Sequence, residues 1–267
     1  MSPAVYTHGH HSAVLRSHRS RTAATSAAYL LDRLRPGLEL LDVGCGPGTI
    51  TADLAELVAP GRVVAIDTAP DVLAGARALA AERALANLEV TVGDVTALDF
   101  AEDSFDVVHA HQVLQHLADP VAALREMRRV CRPGGVVAVR DVDYAAMTWY
   151  PEVPVLDEWL TIYRRTARHN GGEPDAGRRL LAWANRAGFT ELSCTASTWC
   201  FATPDERAFW SEMWAERIMQ PGIGEAAVAY GYATEADRSR IAEGWREWGA
   251  SEDGWFAITH GELIGTV

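Results

Sequence analysis

Short apolar runs alternate with stretches of helical spacing through the first 140 residues. The run at 38–43 predicts a buried strand, interrupted by a single acid, Asp42. Gly44, Gly46 and Gly48 follow on alternate positions, and Ala52, Leu54, Ala55 and Leu57 then recur at the spacing of a helix face. A strand, a glycine turn and a helix start make a cradle in which backbone can approach a ligand and free N–H groups face an anion. The unit then repeats. Residues 62–67 (RVVAID), 88–92 and 104–110 predict three more strands, with a helix over 70–85 after the first of them. Residues 120–131 show apolar positions at Val121, Leu124, Met127 and Val130, one face of a helix, and its arginines read as a solvated face. Arg132-Pro133-Gly134-Gly135 then turns the chain into a strand at 136–140. Strands alternating with helices predict an α/β fold with a largely parallel sheet.

The pattern is looser on both sides of this region. Residues 1–11 are irregular and rich in histidine, and 12–34 predict one or two amphipathic helices ended by Pro36-Gly37. Beyond Asp141, helices are expected over 155–168 and 176–187, the latter closed by Gly188. A strand follows at 191–201, then a helical stretch over 204–249 broken at Pro221-Gly222 and Gly231, then a final strand at 254–267. The chain therefore divides into an N-terminal helical lid (1–37), a core (38–150), and a remainder (151–267) that completes the sheet and carries an inserted helical cap. The chain beyond Asp141 holds most of the aromatic residues, among them Trp149, Tyr150, Trp159, Trp199, Trp210, Trp214, Trp245 and Trp248. Together they suit a cap over an apolar or aromatic small molecule.

Composition narrows the class of partner. The 267 residues carry a formal net charge of −12, which disfavours nucleic acid or an anionic membrane as a partner. No apolar run approaches a membrane span and no apolar leader segment is apparent, so a cytoplasmic location is expected. Four cysteines without a C-x-x-C pair argue against a zinc site or a disulfide framework. All 24 basic residues are arginine, a sign of a GC-rich genome and not of function.

Two details of the glycine loop separate it from a dinucleotide site. Its spacing is G-x-G-x-G, where a nicotinamide fold shows G-x-G-x-x-G, and Asp42 would repel a pyrophosphate but suits a ligand bearing an ammonium group. A nicotinamide oxidoreductase is thereby disfavoured. Asp67 lies 25 positions after Asp42, the reach of one βαβ unit, and can accept both hydroxyls of a ribose or else cap the next helix. The segment LDVGCGPG (41–48) resembles motif I of class I S-adenosylmethionine-dependent methyltransferases. SFDVV (104–108), LQHL (114–117) and RPGG (132–135) resemble further markers of that family, in its order. The likeness runs from about residue 38 to 141, and is close to the branch of ubiquinone and menaquinone C-methyltransferases and many small-molecule O-methyltransferases.

The resemblance implies a Rossmann-like sheet, mostly parallel with its last strand antiparallel, binding S-adenosylmethionine and releasing S-adenosylhomocysteine. It implies cofactor contacts from Asp42, Gly44, Cys45, Gly46, Gly48, Asp67, Thr68, Asp94, Val95 and His111, with Asp94 toward the adenine and His111 toward the methionine portion. His116, at the family's LxHL histidine, is a candidate general base oriented by Asp141; the alternative is that it packs at a helix start. Gln115, Trp149, Tyr150 and, from the lid, Tyr6 and His8 are candidates for contact with a small-molecule acceptor. No metal site is expected, although Asp141 with Asp143, or the N-terminal histidines, offer weak alternatives. The expected activity is O- or C-methylation of a small apolar or aromatic metabolite, in natural-product tailoring or on a quinone-like ring. A cyclase or non-catalytic scaffold on the same fold is the alternative, and the lid region offers a route to a homo-oligomer.

Overall fold

The computed structural model describes residues 20–267, so Tyr6 and His8 lie outside the described residues. Eight strands form one sheet: β1 (Leu40–Val43), β2 (Val63–Asp67), β3 (Leu88–Val92), β4 (Phe105–His111), β5 (Cys131–Val142), β6 (Thr148–Tyr150), β7 (Glu191–Phe201) and β8 (Trp255–Thr266). Their order is β3-β2-β1-β4-β5-β8, with β7 paired to β8 along its length and the short β6 paired to the first residues of β8. The first five strands are parallel. β8 runs antiparallel to β5, β6 and β7. The strand order reverses beside β1 and β4, the place where open α/β sheets leave a crevice at the carboxyl ends of their strands.

Local chemistry explains why the helices begin where they do. Within 20–34, the described part of the stretch where one or two amphipathic helices are expected, stand two short helices, α1 (Ala23–Ser26) and α2 (Ala28–Leu31); α1 is opened by a capping box on Thr22. α3 (Thr49–Val58) starts directly after Gly48, which sits in the left-handed region at φ 81°. α4 (Pro70–Glu82) and α5 (Pro120–Val130) each place proline in the first turn, and Asp119 accepts the Ala122 N–H at 2.9 Å to cap α5. α6 (Pro154–His169) and α7 (Leu180–Ala187) follow, the second closed by Gly188 at φ 93°. α8 (Pro204–Met219), α9 (Ile223–Ala229) and α10 (Glu235–Ala250) are separated by the expected breaks, and capping boxes on Thr203 and Thr234 open α8 and α10.

Alternation along the strands gives the sheet two different faces. Leu41, Val43, Val108, Ala110, Val137 and Val139 face α5 and α7 in one apolar core. Leu40, Val63, Val107 and Ala138 face the other way, against α1, Leu30 and α3. A third core lies beyond the amino end of β8, where Trp159, Trp214, Trp245, Trp248 and Phe256 are all essentially fully buried between α6, α8 and α10. The strand β6 was not expected from sequence: three residues are too few to show a period.

Candidate functional site

A cavity of about 540 Å³ opens over the carboxyl ends of the central strands. Gly44, Cys45, Gly46, Asp67, Thr68, Asp94, Val95, Asp42 and His111 all line it, so the structure gathers most of the expected cofactor residues at one place. The loop after β1 is held by the next strand. The Cys45 N–H donates to the Ile66 carbonyl at 3.0 Å, and the Gly46 N–H donates to Asp67 Oδ2 at 3.0 Å. Asp67 Oδ1 accepts the Ala69 N–H, also at 3.0 Å. Gly44 has no freedom to carry a side chain: it sits at φ 67°, and a Cβ there would lie 2.4 Å from Val113 Cγ2. Gly48 is not among the cavity-lining residues; it sets the start of α3 and packs on Ala76. Burial, with Asp42 and Asp67 nearby, pushes the Cys45 thiol up, which keeps it protonated and unreactive.

Asp42 has a different setting from the one its sequence position suggests. Its carboxylate is buried, accepting the His109 Nδ1–H at 2.7 Å and the Thr51 hydroxyl at 2.5 Å. Asp42 and His109 are register partners on β1 and β4, so pairing of the strands brings them together. Both oxygens are thus engaged inside the protein, and the acid at the cavity wall is oriented by its neighbours before any ligand arrives. Asp94, by contrast, lies exposed at the rim with Oδ1 accepting both the N–H and the hydroxyl of Thr96 at 2.8 Å.

The polar face of the sheet continues beneath the cavity. His111 is buried, and neither ring nitrogen has a hydrogen-bond partner. Burial and the cations of Arg21 and Arg140 hold its pKa well below the usual imidazole value, so the ring is neutral. A neutral imidazole keeps one N–H donor and one lone pair, both unused among the described residues. His260, its stacked neighbour at 6.3 Å, is satisfied instead: its Nδ1 lies 3.2 Å from the Ile258 carbonyl and its Nε2 accepts from the Gln112 amide at 2.9 Å. Arg140 is fully buried, with Nε 3.2 Å from Glu262 and its guanidinium 4.8 Å over the Trp199 ring. Burial lowers the Arg140 pKa to about 10.

The structure does not bring His116 and Asp141 into contact. Asp141 is fully buried, its Oδ1 accepts the Gln115 N–H at 3.1 Å, and its Oδ2 has no partner. Burial pushes its pKa up to about 7, against the backbone donors of Gln115 and Leu114 and the charge of Arg140. It therefore holds the turn that carries His116 and not the imidazole itself. His116 lines the cavity, with the Gln115 amide 2.9 Å from its Nε2. Burial, then Arg21 and Arg217, lower its pKa to about 3. Gln115 itself is buried behind His116 and does not reach the cavity wall. Neither Trp149 nor Tyr150 lines the cavity. They lie on β6, where Trp149 stacks on Phe256 at 5.6 Å and Tyr150 is 58% exposed. Asp143 is taken up by Arg178, whose Nη2 lies 2.8 Å from its Oδ1.

The far wall comes from residues that sequence reasoning passed over or left in a general aromatic group. Tyr144, Met147 and Ile258 contribute from the chain around β5, β6 and β8. Trp210, Trp214 and Arg217 contribute from α8, at the i, i+4, i+7 spacing of one helix face. That spacing was the available signal. Arg21 closes the side near Gln112, donating to its Oε1 at 2.9 Å. Acids thus gather at the glycine-loop end of the cavity and cations with neutral imidazoles at the other.

The residues fit S-adenosylmethionine: acids line the cavity at the ends of β1, β2 and β3, which suits a ligand with an ammonium group and ribose hydroxyls, and the glycine loop admits close backbone approach. Comparison with known proteins agrees. Residues 34–188 match the family model described as a methyltransferase domain. The chain is 34% identical to an uncharacterized methyltransferase of Schizosaccharomyces pombe, over 97% of this chain and 95% of that protein. It is 32% identical to a demethylmenaquinone methyltransferase of Roseiflexus castenholzii, over 72% of this chain and 74% of that one. Among solved structures, the YcgJ protein of Bacillus subtilis superposes with a TM-score of 0.60 at 17% identity, over 89% of this chain and 96% of that one, a likeness of fold. Glycine loop, strand order and sequence kinship converge, and the chain belongs to the class I S-adenosylmethionine-dependent methyltransferases.

Proposed function

We propose that this methyltransferase acts on an apolar or aromatic metabolite, at oxygen or carbon, in natural-product tailoring or on a quinone-like ring. The observation that carries the reading is the single continuous cavity, acidic at the glycine loop and walled by Tyr144, Met147, Trp210, Trp214 and Ile258 at the other end. Aromatic walls favour a flat apolar acceptor through stacking and burial of its surface.

S-adenosylmethionine, when bound, supplies a methyl group on a sulfonium sulfur that departs as a neutral thioether. The residues of the chain orient and enclose. Asp67 and Asp94 hold the nucleoside end, and His111 offers an N–H and a lone pair where the two ligands meet. Trp210 and Trp214 exclude water and fix the acceptor plane, so alignment supplies much of the rate. A pKa near 3 makes His116 a weak proton acceptor but a dependable neutral hydrogen-bonding group at pH 7. We therefore assign His116 to orienting the acceptor, and Asp141 to positioning the turn that holds it.

The test is methyl transfer from labelled S-adenosylmethionine to a panel of flat phenols, hydroquinones and aliphatic polyols. Transfer confined to the aromatic members is the expected result. Transfer to polyols alone would overturn the reading.

A further inference from the structure

Arg217 is 6% exposed and lines the acceptor end of the cavity, yet no carboxylate pairs with it. Its Nε is buried without a hydrogen-bond partner, and among the described residues its guanidinium makes no hydrogen bond or ion pair. What it does touch is the Trp214 ring, 4.9 Å from its guanidinium carbon. The described residues supply no counter-ion. Nor can residues 1–19, because the first acid in the chain is Asp32. A buried arginine without a counter-ion is costly, since the Trp214 ring and the carboxyl end of α8 replace only part of what its charge loses with water. The other groups at this end do not relieve it: Arg21 is a second cation, and His111, His116 and His260 are all held neutral. Of the acids that line the cavity, Asp42, Asp67 and Asp94 stand at the ends of β1, β2 and β3, and Asp119 is exposed with Oδ1 capping α5; none forms an ion pair with Arg217.

We propose that Arg217 is the binding site for an ionised oxygen on the acceptor, so that the acceptor is an aromatic acid: a ring bearing a carboxylate or a phenol already ionised at neutral pH. The inference rests on the methyltransferase reading of the cavity and names the acceptor class within it. The Trp214 ring lies under the guanidinium and fixes it at the cavity wall, and planar guanidinium donors suit an oxyanion. Where the ionised oxygen is itself the atom methylated, it has no proton to lose and needs no strong base, which agrees with the neutral, weakly basic His116.

The test uses the full chain saturated with S-adenosylhomocysteine and measures binding of 2-naphthoate against 2-naphthamide, and 2,4-dinitrophenolate against 2,4-dinitroaniline, by calorimetry. Wild type is expected to bind at least one anion tenfold or more tighter than its neutral partner. Arg217→Met is expected to erase that preference, Arg217→Lys to keep part of it, and neither to change affinity for S-adenosylhomocysteine by more than twofold. The naphthoate arm and the phenolate arm separate the two sources of the anion. Equal binding of anion and neutral partner, or no binding of either anion, by wild type that still binds S-adenosylhomocysteine overturns this inference and leaves the family assignment standing. A tenfold loss of S-adenosylhomocysteine affinity in Arg217→Met overturns it too, by assigning the arginine to the cofactor. Failure of wild type to bind S-adenosylhomocysteine at all removes the reading on which the inference rests.

Discussion

At position 67 one carboxylate serves both loop and ligand. Asp67 ties down the Gly46 and Ala69 amides and lines the cavity at the end of β2. Hydrogen bonds to a charged group contribute about 1.5–3 kcal/mol each, so Asp67→Ala is expected to weaken S-adenosylhomocysteine at least tenfold by calorimetry. Gly44 has a steric constraint instead. Gly44→Ala should lower stability by about 1–3 kcal/mol in denaturant titration, because the new methyl meets Val113 Cγ2 and the backbone is left-handed. Val113→Ala in the same chain should recover part of that loss, since it removes the clashing methyl. Asp141 gives a prediction with a sign. Its pKa is raised from 3.8 to about 7 in the folded state. The native form therefore holds a proton that the unfolded chain releases, and stability is lost as pH rises from about 4 through 7. Asp141→Asn lacks that loss, and thermal melts should find it more stable than wild type at pH 8, by about 2–4 kcal/mol, with the gap closing toward pH 4.

Among the elements, the βα units of the first 140 residues were legible because strand and helix periods differ and glycines mark the change between them. The glycine loop was legible for the same reason, together with Asp67 at its fixed reach. The capping boxes on α8 and α10 agree with the expected breaks at Pro221-Gly222 and Gly231. The acceptor end was much less legible. Arg217 sits in a helix with tryptophan on one face and acids on another, and sequence spacing alone does not say which face meets the sheet. Trp149 and Tyr150 looked like acceptor contacts because of their residue type, but the pairing of β6 with β8 turns them away from the cavity. Asp141 and His116 looked like a pair because strands β4 and β5 are neighbours, yet the backbone of Gln115 claims the carboxylate first. Long-range pairing decided each of these, and it leaves no periodic trace in the chain. The aromatic layer behind the cavity is itself a structural element. Trp245 is fully buried between Trp159, Trp214 and Phe256. Trp245→Ala should cost about 3–5 kcal/mol in urea unfolding.

Across the whole molecule, charge and burial work together. The chain carries a net −12, but its cavity runs from acids at the glycine loop to Arg21 and Arg217 at the far wall. That polarity suits a cationic donor at one end and an anionic acceptor at the other. It also shapes acid stability. His111, His116 and His260 all have lowered pKa values, chiefly through burial, so unfolding below the ordinary imidazole value of 6.5 takes up their protons. Their contribution is present above 6.5 and lost as pH falls, while Asp141 acts in the opposite sense over 4–7. Between about pH 4 and 6.5 the histidines and Asp141 therefore oppose one another. No helix of the described residues is long and apolar enough to cross a membrane.

Isothermal titration of the folded chain with S-adenosylmethionine and S-adenosylhomocysteine bears most directly on this account. One site per chain for each, weakened at least tenfold by Asp67→Ala, is the expected result. A wild-type chain with an intact circular dichroism spectrum that gives no heat with either compound would contradict it.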